Sequence, residues 1–485
     1  MCSNIVLWCL FYYSKRELIG DIQEGETENM SVDQATSTEF IRTRAGDLLE
    51  QIKIDKSQFE KHDVKRGLRN ADGTGVMAGV TRIGSTQGYY MRDGERRPME
   101  GKLYYRGIDV AEIANGFMKD GRLGFEETAY LLILGKLPNK AELETFCVIL
   151  EEFRELPDHF SEDMILAAPS VNIMNKMARS MLALYSYDQE PELDERNIEK
   201  ELDRALHILA RTPVIVAHAF AAKRHYYDKE SLYLHRSQKG YSIAENFLHS
   251  VRDDNSFTPE EAKLLDLCMV LHAEHGGGNN SAFACRVLTS SGTDIYSAIS
   301  AAVGSLKGPK HGGANEKVME MFAHIKKDVK DWRDEDEVAE YLYKIACGEA
   351  GDGDGLIYGM GHAVYTISDP RALMLKDLAR SLARRKGFLS ELELMELVEK
   401  HAPDALSRAK GAPVDICANV DMYSGLVYKM LGIPEDLYTP LFAIARMAGW
   451  CAHRLEEVWS GGRIIRPAYK ALDLDAEYVP LAQRL

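Results

Sequence analysis

The sequence predicts a mainly α, multihelical fold with a small β element near the N-terminus. Three observations carry this. Thr258-Pro259-Glu260-Glu261 combines a threonine cap, a proline at the first helical position and a glutamate three residues after the cap, a strong helix start. Residues 262–272, which follow, are apolar almost all round, as in a helix buried on every side. No stretch alternates strands with helices in the way a doubly wound sheet requires.

Along the chain, residues 1–29 contain one apolar run, 5–13. It is shorter than the roughly 20 residues that span a bilayer, and it lacks the basic and small-residue flanks of a signal peptide. With the acidic stretch before Met30, these residues are expected to be a disordered extension. Residues 79–90 and 102–105 read as short strands about the Asp93-Gly94 turn. Phe125–Leu134 reads as a helix stopped by Gly135, and Asn139 with Glu142 boxes the start of the next. The acidic residues 188–199 read as a solvated loop. Ala314 begins a helical pattern, and Val338, Tyr341, Leu342 and Ile345 have amphipathic spacing. Residues 351–355 alternate glycine and aspartate without the closing glutamate of a calcium loop, so they read as a flexible turn. Asp369-Pro370 starts a helix running to about Gly387 with Arg371 in its first turn, and Ser390 with Glu393 is a further boxed start.

A chain of 485 residues favours two or more domains. Its net charge of -16 argues against a nucleic-acid or anionic-membrane partner, and requires local arginines to meet any anionic substrate. The eight cysteines include no Cys-x-x-Cys pair and several lie in apolar runs. That pattern predicts reduced, buried thiols in a cytoplasmic protein rather than a disulfide frame or a metal site.

Three ionisable residues stand in glycine-bearing contexts, where backbone and ligand can approach closely: His311, His362 and Asp421. Two imidazoles and a carboxylate suffice to move protons near neutral pH. His311 precedes a helix, whose positive end disfavours the imidazolium and leaves a neutral ring able to donate to an enolate oxygen. His362 lies nine residues before Arg371, so one can polarise a carbonyl while the other holds a carboxylate. Asp421 has apolar neighbours that would raise its proton affinity, but it also stands where a helix cap would. Arg446 lies in the apolar run 441–445 and should face a buried anion. With Arg371 and Arg466 it can clamp a di- or tricarboxylate.

Several motifs together resemble the citrate synthase family. They are Leu271-His272-Ala273-Glu274-His275-Gly276-Gly277-Gly278-Asn279, residues 308–316, Gly361-His362-Ala363-Val364-Tyr365 with Asp369-Pro370-Arg371, Asn419-Val420-Asp421-Met422-Tyr423-Ser424-Gly425, and residues 442–450. The likeness runs from about residue 67 to 469. It implies a large helical domain (residues 41–311 and 426–485) and a small one (312–425) that closes over the site, behind an extension of residues 1–40. It further implies condensation of acetyl-coenzyme A with oxaloacetate, with no cofactor, by a homodimer or larger homo-oligomer. On this reading His311 stabilises the enol, Asp421 takes the methyl proton and His362 polarises the ketone. His275, Asn279, Arg371, Arg446 and Phe442 hold or pack against the acids, Arg466 reaches across from a second subunit, and Ser281 orients His311. Relatives often carry a basic residue just after the His362 motif, where this chain has Ala363 and Thr366. Lys307 and Lys310 are the expected substitutes against coenzyme A phosphates. 2-Methylcitrate synthase is the nearest alternative. A metal-dependent hydrolase fails on the spacing of His272-Ala273-Glu274-His275, and a non-catalytic relative is the third reading.

Overall fold

The computed structural model describes residues 34–485, apart from Ala71, Gly94, Leu193, Glu195, Arg196, Gly461, Leu474, Asp475 and Leu485. The chain divides into two compact units, one up to Gly67 and one from Leu68 onward. The first contains α1 (Gln34–Gln51) and α2 (Lys56–Lys61), the latter capped by Asp55, which accepts the Ser57 N–H at 2.8 Å. The extension expected over residues 1–40 is thus helical from Gln34, and the rest of it lies outside the described residues.

The second unit opens with an antiparallel sheet in the order β1 (Gly84–Arg92), β2 (Glu95–Tyr105), β3 (Ile108–Asp109). The first strand begins later than residue 79, and the second begins well before residue 102. Glu95-Arg96-Arg97-Pro98 has no strand pattern of its own. It is strand because it pairs with β1 across the Asp93 turn, from Arg92↔Glu95 to Gly84↔Tyr105. Arg106 and Gly107, both at positive φ, then form the two-residue turn into β3.

Helices make up the remainder. α3 (Val110–Lys119) is followed by α4 (Phe125–Leu134), which stops at Gly135 in the left-handed conformation as expected. α5 (Lys140–Phe153) starts in the Asn139/Glu142 capping box. α6 (Ile173–Ala183) leads to α7 (Ile198–Tyr226), long and apolar enough to cross a membrane, but with 67% of its apolar window buried inside the protein. α8 (Ile243–Val251), α9 (Pro259–His272), α10 (Asn280–Thr289) and α11 (Ile295–Lys307) complete the first half. The Thr258 box forms, and α9 is buried along nearly its whole length. Then come α12 (Ala314–Asp328), α13 (Glu335–Ala346), α14 (Pro370–Lys386), α15 (Leu389–Lys410), α16 (Asp421–Met430) and α17 (Tyr438–Trp459). α14 has the expected Asp369 cap and ends at Gly387 at positive φ. α17 is the axis of the core: it packs on α4, α7, α9, α10 and α11, and Trp450, Arg446 and Arg454 on it are fully buried. Arg454 is neutralised there by Glu201 of α7 at 3.1 Å, both side chains wholly inside.

Three expectations are corrected. Ser390 does not cap α15: the N-cap is Phe388, whose N–H bonds Ala383 and whose carbonyl accepts from Leu392. Only Gly387 and Phe388 separate α14 from α15, so Ser390 is already inside the helix. The acidic loop is not merely solvated, since Asp188 accepts from Arg204 and the Tyr296 hydroxyl, each at 2.8 Å. Cys268, Cys285, Cys417 and Cys451 are buried thiols, but Cys147 and Cys347 are exposed, because each faces outward from its helix or turn.

Thr258→Ala is predicted to cost about 0.5–2 kcal/mol in urea unfolding, and Ser390→Ala less than about 0.5 kcal/mol. Equal losses would contradict the two cap assignments.

Candidate active site

Backbone pairing brings two distant motifs together. Gly361 N–H donates to the Cys417 carbonyl at 2.8 Å and Asn419 N–H to the Gly359 carbonyl at 2.9 Å, forming a bridge between Met360 and Ala418. Gly359 and Gly361 sit at φ 81° and 92°, where a side chain is strained, and a Cβ on Gly359 would meet Met422 at 3.0 Å. The Asn419 amide fastens the junction twice, donating to the Gly361 carbonyl at 2.9 Å and accepting the Asp421 N–H at 3.0 Å. His362 and Asp421 therefore leave the bridge side by side. Asp421 is the first residue of α16 rather than its cap.

The β hairpin holds the other side of the His362 loop. Gly88 and Gly101 leave room for it, since a Cβ would lie 2.5 Å from the Val364 carbonyl and 2.1 Å from that of Ser368. Gly101 N–H donates to Ser368 Oγ at 3.2 Å. His362 stacks on Tyr365, centroids 4.4 Å apart, and its Nδ1 accepts the N–H groups of Val364 (3.0 Å) and Tyr365 (3.1 Å). A ring nitrogen that accepts carries no proton. The neutral ring is thus the Nε2–H tautomer, with its donor left for a ligand.

His311 lies in the tight turn between α11 and α12. A Cβ on Gly312 would fall 2.1 Å from the Leu306 carbonyl, and Thr439 Oγ1 ties the turn to α17 by donating to the Gly312 carbonyl at 2.9 Å. Ser281 Oγ donates to Asn279 Oδ1 at 2.8 Å and lies 2.9 Å from His311 Nε2. When that single hydroxyl proton turns to His311 instead, Nδ1 of the ring is the donor.

These groups face one cleft of about 140 Å3. His275, Asn279, His311, His362, Arg371, Asp421, Phe442 and Arg446 line it, all singled out from sequence. Asn315, Asn419, Tyr428, Tyr438 and Thr439 line it too; polar and aromatic residues on helix faces gave no signal of their own in the sequence. Arg466 is exposed on the tail after α17 and is not among the lining residues; Lys307 and Lys310 are exposed near the mouth turn and do not line it either.

The electrostatics are one-sided. Arg371 is held by Asp369 in a two-pronged pair (3.0 and 2.7 Å), so although burial opposes its charge, its pKa is raised. Arg446, 1% exposed, forms no ion pair among the described residues: Nε donates to the His272 carbonyl at 2.5 Å, Nη1 has no partner, and the Phe442 ring lies 4.7 Å away. Burial lowers its pKa to about 10. His275 Nε2 is also buried without a partner. Burial, and then Arg446, lowers His311 to about 4; burial and Arg371 lower His362 to about 4. Asp421 is exposed only to the cleft itself, and desolvation raises it to about 6 against the pull of Arg371 and Arg446. The site thus holds neutral imidazole donors, a carboxylate of raised basicity and an unmet positive charge. It fits a small dicarboxylate beside a carbon acid.

A model of the family described as citrate synthase, C-terminal domain, matches residues 72–468. The chain belongs to the citrate synthase family. The citrate synthase of Synechocystis sp. is 37% identical over 387 residues, covering 80% of this chain and 89% of that protein. 2-Methylcitrate synthase 1 of Corynebacterium glutamicum is 32% identical over 394 residues, covering 80% and 93%. Among solved structures, the Thermoplasma acidophilum citrate synthase in ternary complex with carboxymethyl coenzyme A and oxaloacetate aligns with a TM-score of 0.69 at 26% identity, over 87% of this chain and 99% of that one.

Sequence reasoning missed the pairing of the carboxylate next to His275. Glu274, wholly buried, accepts from His453 Nε2 at 3.0 Å. His453 Nδ1 receives Arg286 at 2.8 and 3.1 Å, which leaves Nε2–H to donate toward Glu274. Burial works against the Glu274 charge, but His453 and Arg446 hold its pKa below the ordinary value. Glu274 and His272 are thereby engaged by protein partners, His272 by the Tyr428 hydroxyl at 2.9 Å. Among the described residues no group of three metal-ligating side chains converges.

Arg446→Met replaces a desolvated cation with an apolar chain of similar length. Stability without ligand is predicted to hold or rise by about 1 kcal/mol in thermal unfolding. A fall of several degrees in Tm would show that the protein itself compensates the charge.

Proposed function

We propose that this chain condenses acetyl-coenzyme A with oxaloacetate and water, releasing citrate and coenzyme A. The observation that carries the reading is the single cleft onto which Asp421, His311 and His362 all face beside the unpartnered Arg446. Oxaloacetate supplies the anion: its carboxylates meet Arg446, Arg371 and His275, and Nε2–H of His362 polarises its ketone. Asp421, ionised above about pH 6, takes a proton from the acetyl methyl group while His311 donates to the thioester oxygen. This yields an enolate whose charge the His311 hydrogen bond stabilises. The enolate carbon then attacks the ketone, whose oxygen takes up a proton, and water cleaves the citryl thioester.

Acetyl-coenzyme A is a substrate here and no cofactor takes part. Arg466 is proposed to serve the site of a second subunit in a homodimer or larger homo-oligomer, and Lys307 and Lys310 to meet coenzyme A phosphates. Residues 312–425, which carry His362, Arg371 and Asp421, are proposed to close on the remainder and exclude water until the new bond has formed. The buried thiols favour a reducing, cytoplasmic setting. Propionyl-coenzyme A is the second reading, favoured by the likeness to a 2-methylcitrate synthase; one methylene discriminates by only about 1–3 kcal/mol.

Release of free thiol from acetyl- and propionyl-coenzyme A, each with oxaloacetate, tests the proposal. The acetyl donor is expected to have the higher kcat/KM, with an acid limb near pH 6 that falls tenfold per unit below it. No histidine limb is expected between pH 5 and 8, because both rings are already neutral there. Asp421→Asn should lower kcat by about 10²–10⁴-fold and abolish the limb. Absence of thiol release with either donor would overturn the reading; a propionyl preference would replace it with the second.

A further inference from the structure

A second cavity, of about 230 Å3, lies between α3, α9 and α14. Its floor is apolar: Phe117, Leu264, Leu267 and Leu382 are each less than a tenth exposed, and Leu378, 36% exposed, is its most open apolar residue. Its rim carries three cations, Arg122, Lys263 and Arg385, against a single carboxylate, Glu260. Arg122 is paired with Asp120 and Glu127, whereas Lys263 and Arg385 are exposed and have no ion-pair partner among the described residues. An apolar slot below free positive charge is complementary to a ligand with a hydrocarbon tail and an anionic head.

The placement of the cavity gives such a ligand a consequence. Its walls are the N-terminal half of α9 and the C-terminal half of α14. The opposite ends of the same two helices lead into the active site: α9 ends at His272, three residues before His275, and α14 begins with the Asp369–Arg371 pair. Lys386 of α14 is bonded to Glu261 of α9 beside the cavity, so the two helices are already tied at this end. A tail inserted between them changes their spacing, and rigid helices transmit that change to the distance between Arg371 and His275.

We infer that the slot between α3, α9 and α14 is a regulatory site for a medium-chain carboxylate, whose occupation alters oxaloacetate binding. The binding does not depend on the reaction proposed above; the effect on turnover rests on it. The probe is octanoate, titrated calorimetrically into the full chain, with octylammonium as the control of opposite charge. Saturable octanoate binding is expected, with none for octylammonium. The double variant Lys263→Ala/Arg385→Ala should weaken binding roughly tenfold, and Leu378→Trp, which fills the mouth, should abolish it, both with unchanged Tm. In thiol-release assays octanoate should raise the KM for oxaloacetate to a limiting plateau in the parent protein, and have no such effect in Leu378→Trp. No saturable binding, binding indifferent to both variants, or competition with oxaloacetate that never reaches a plateau would overturn the inference. If thiol release itself fails while the charge-dependent binding stands, the catalytic reading falls and the site remains.

Discussion

A guanidinium buried without a carboxylate of its own governs this site. Arg446 is held inside α17, its Nη1 unpartnered and its pKa lowered to about 10. Positive charge in a low-dielectric interior is costly, and the usual remedy, an Asp or Glu in direct ion pair, is present for Arg371 and Arg454 but not here, where Glu274 acts on the charge without bonding to it. The field it leaves acts on everything nearby. After burial itself, it is Arg446 and Arg371 that keep His311, His362, His272 and His275 neutral. The same field pulls against the desolvation of Asp421 and limits its rise to about 6. An anion that binds the arginines weakens that pull, so oxaloacetate would make Asp421 a stronger base. Binding of one substrate thereby readies the base for the other.

The scaffold is arranged around holding these groups without quenching them. Three helix ends, a strand hairpin and one internal bridge deliver the side chains, and most of the supporting bonds go to backbone. His362 is fixed by two N–H groups, His311 by a hydroxyl, and Arg446 by a carbonyl. Such partners set orientation and tautomer while leaving the outward-facing atom free. The glycines matter for the same reason: at positions 88, 101, 312 and 359 they let backbone segments approach within distances that a Cβ would block.

Much of this was legible in the sequence because it is local. Capping boxes at Thr258 and Asn139, the proline start at Pro370 and the glycine stops at Gly135 and Gly387 each depend on a few adjacent residues, and they formed as read. The site residues stood out because ionisable groups beside glycine, or inside apolar runs, are costly without a purpose. What escaped depends on partners far along the chain. Glu95-Arg96-Arg97-Pro98 becomes strand only through β1, Ser390 fails as a cap because α15 already starts at Leu389 after the Gly387 turn, and Asp188 is claimed by Arg204 and Tyr296. Glu274, already unsuited by spacing to a metal site, is claimed by His453, 179 residues away. Short-range pattern carries no information on any of these.

The account stands or falls on the charge of Arg446 being reserved for a ligand. Calorimetric titration of oxaloacetate into the parent protein and into Arg446→Met addresses it directly. The parent is predicted to bind at one site per chain, and the variant at least about 30-fold more weakly, the loss of a buried charge contact of 2 kcal/mol or more. Equal affinity in the two proteins would contradict the account.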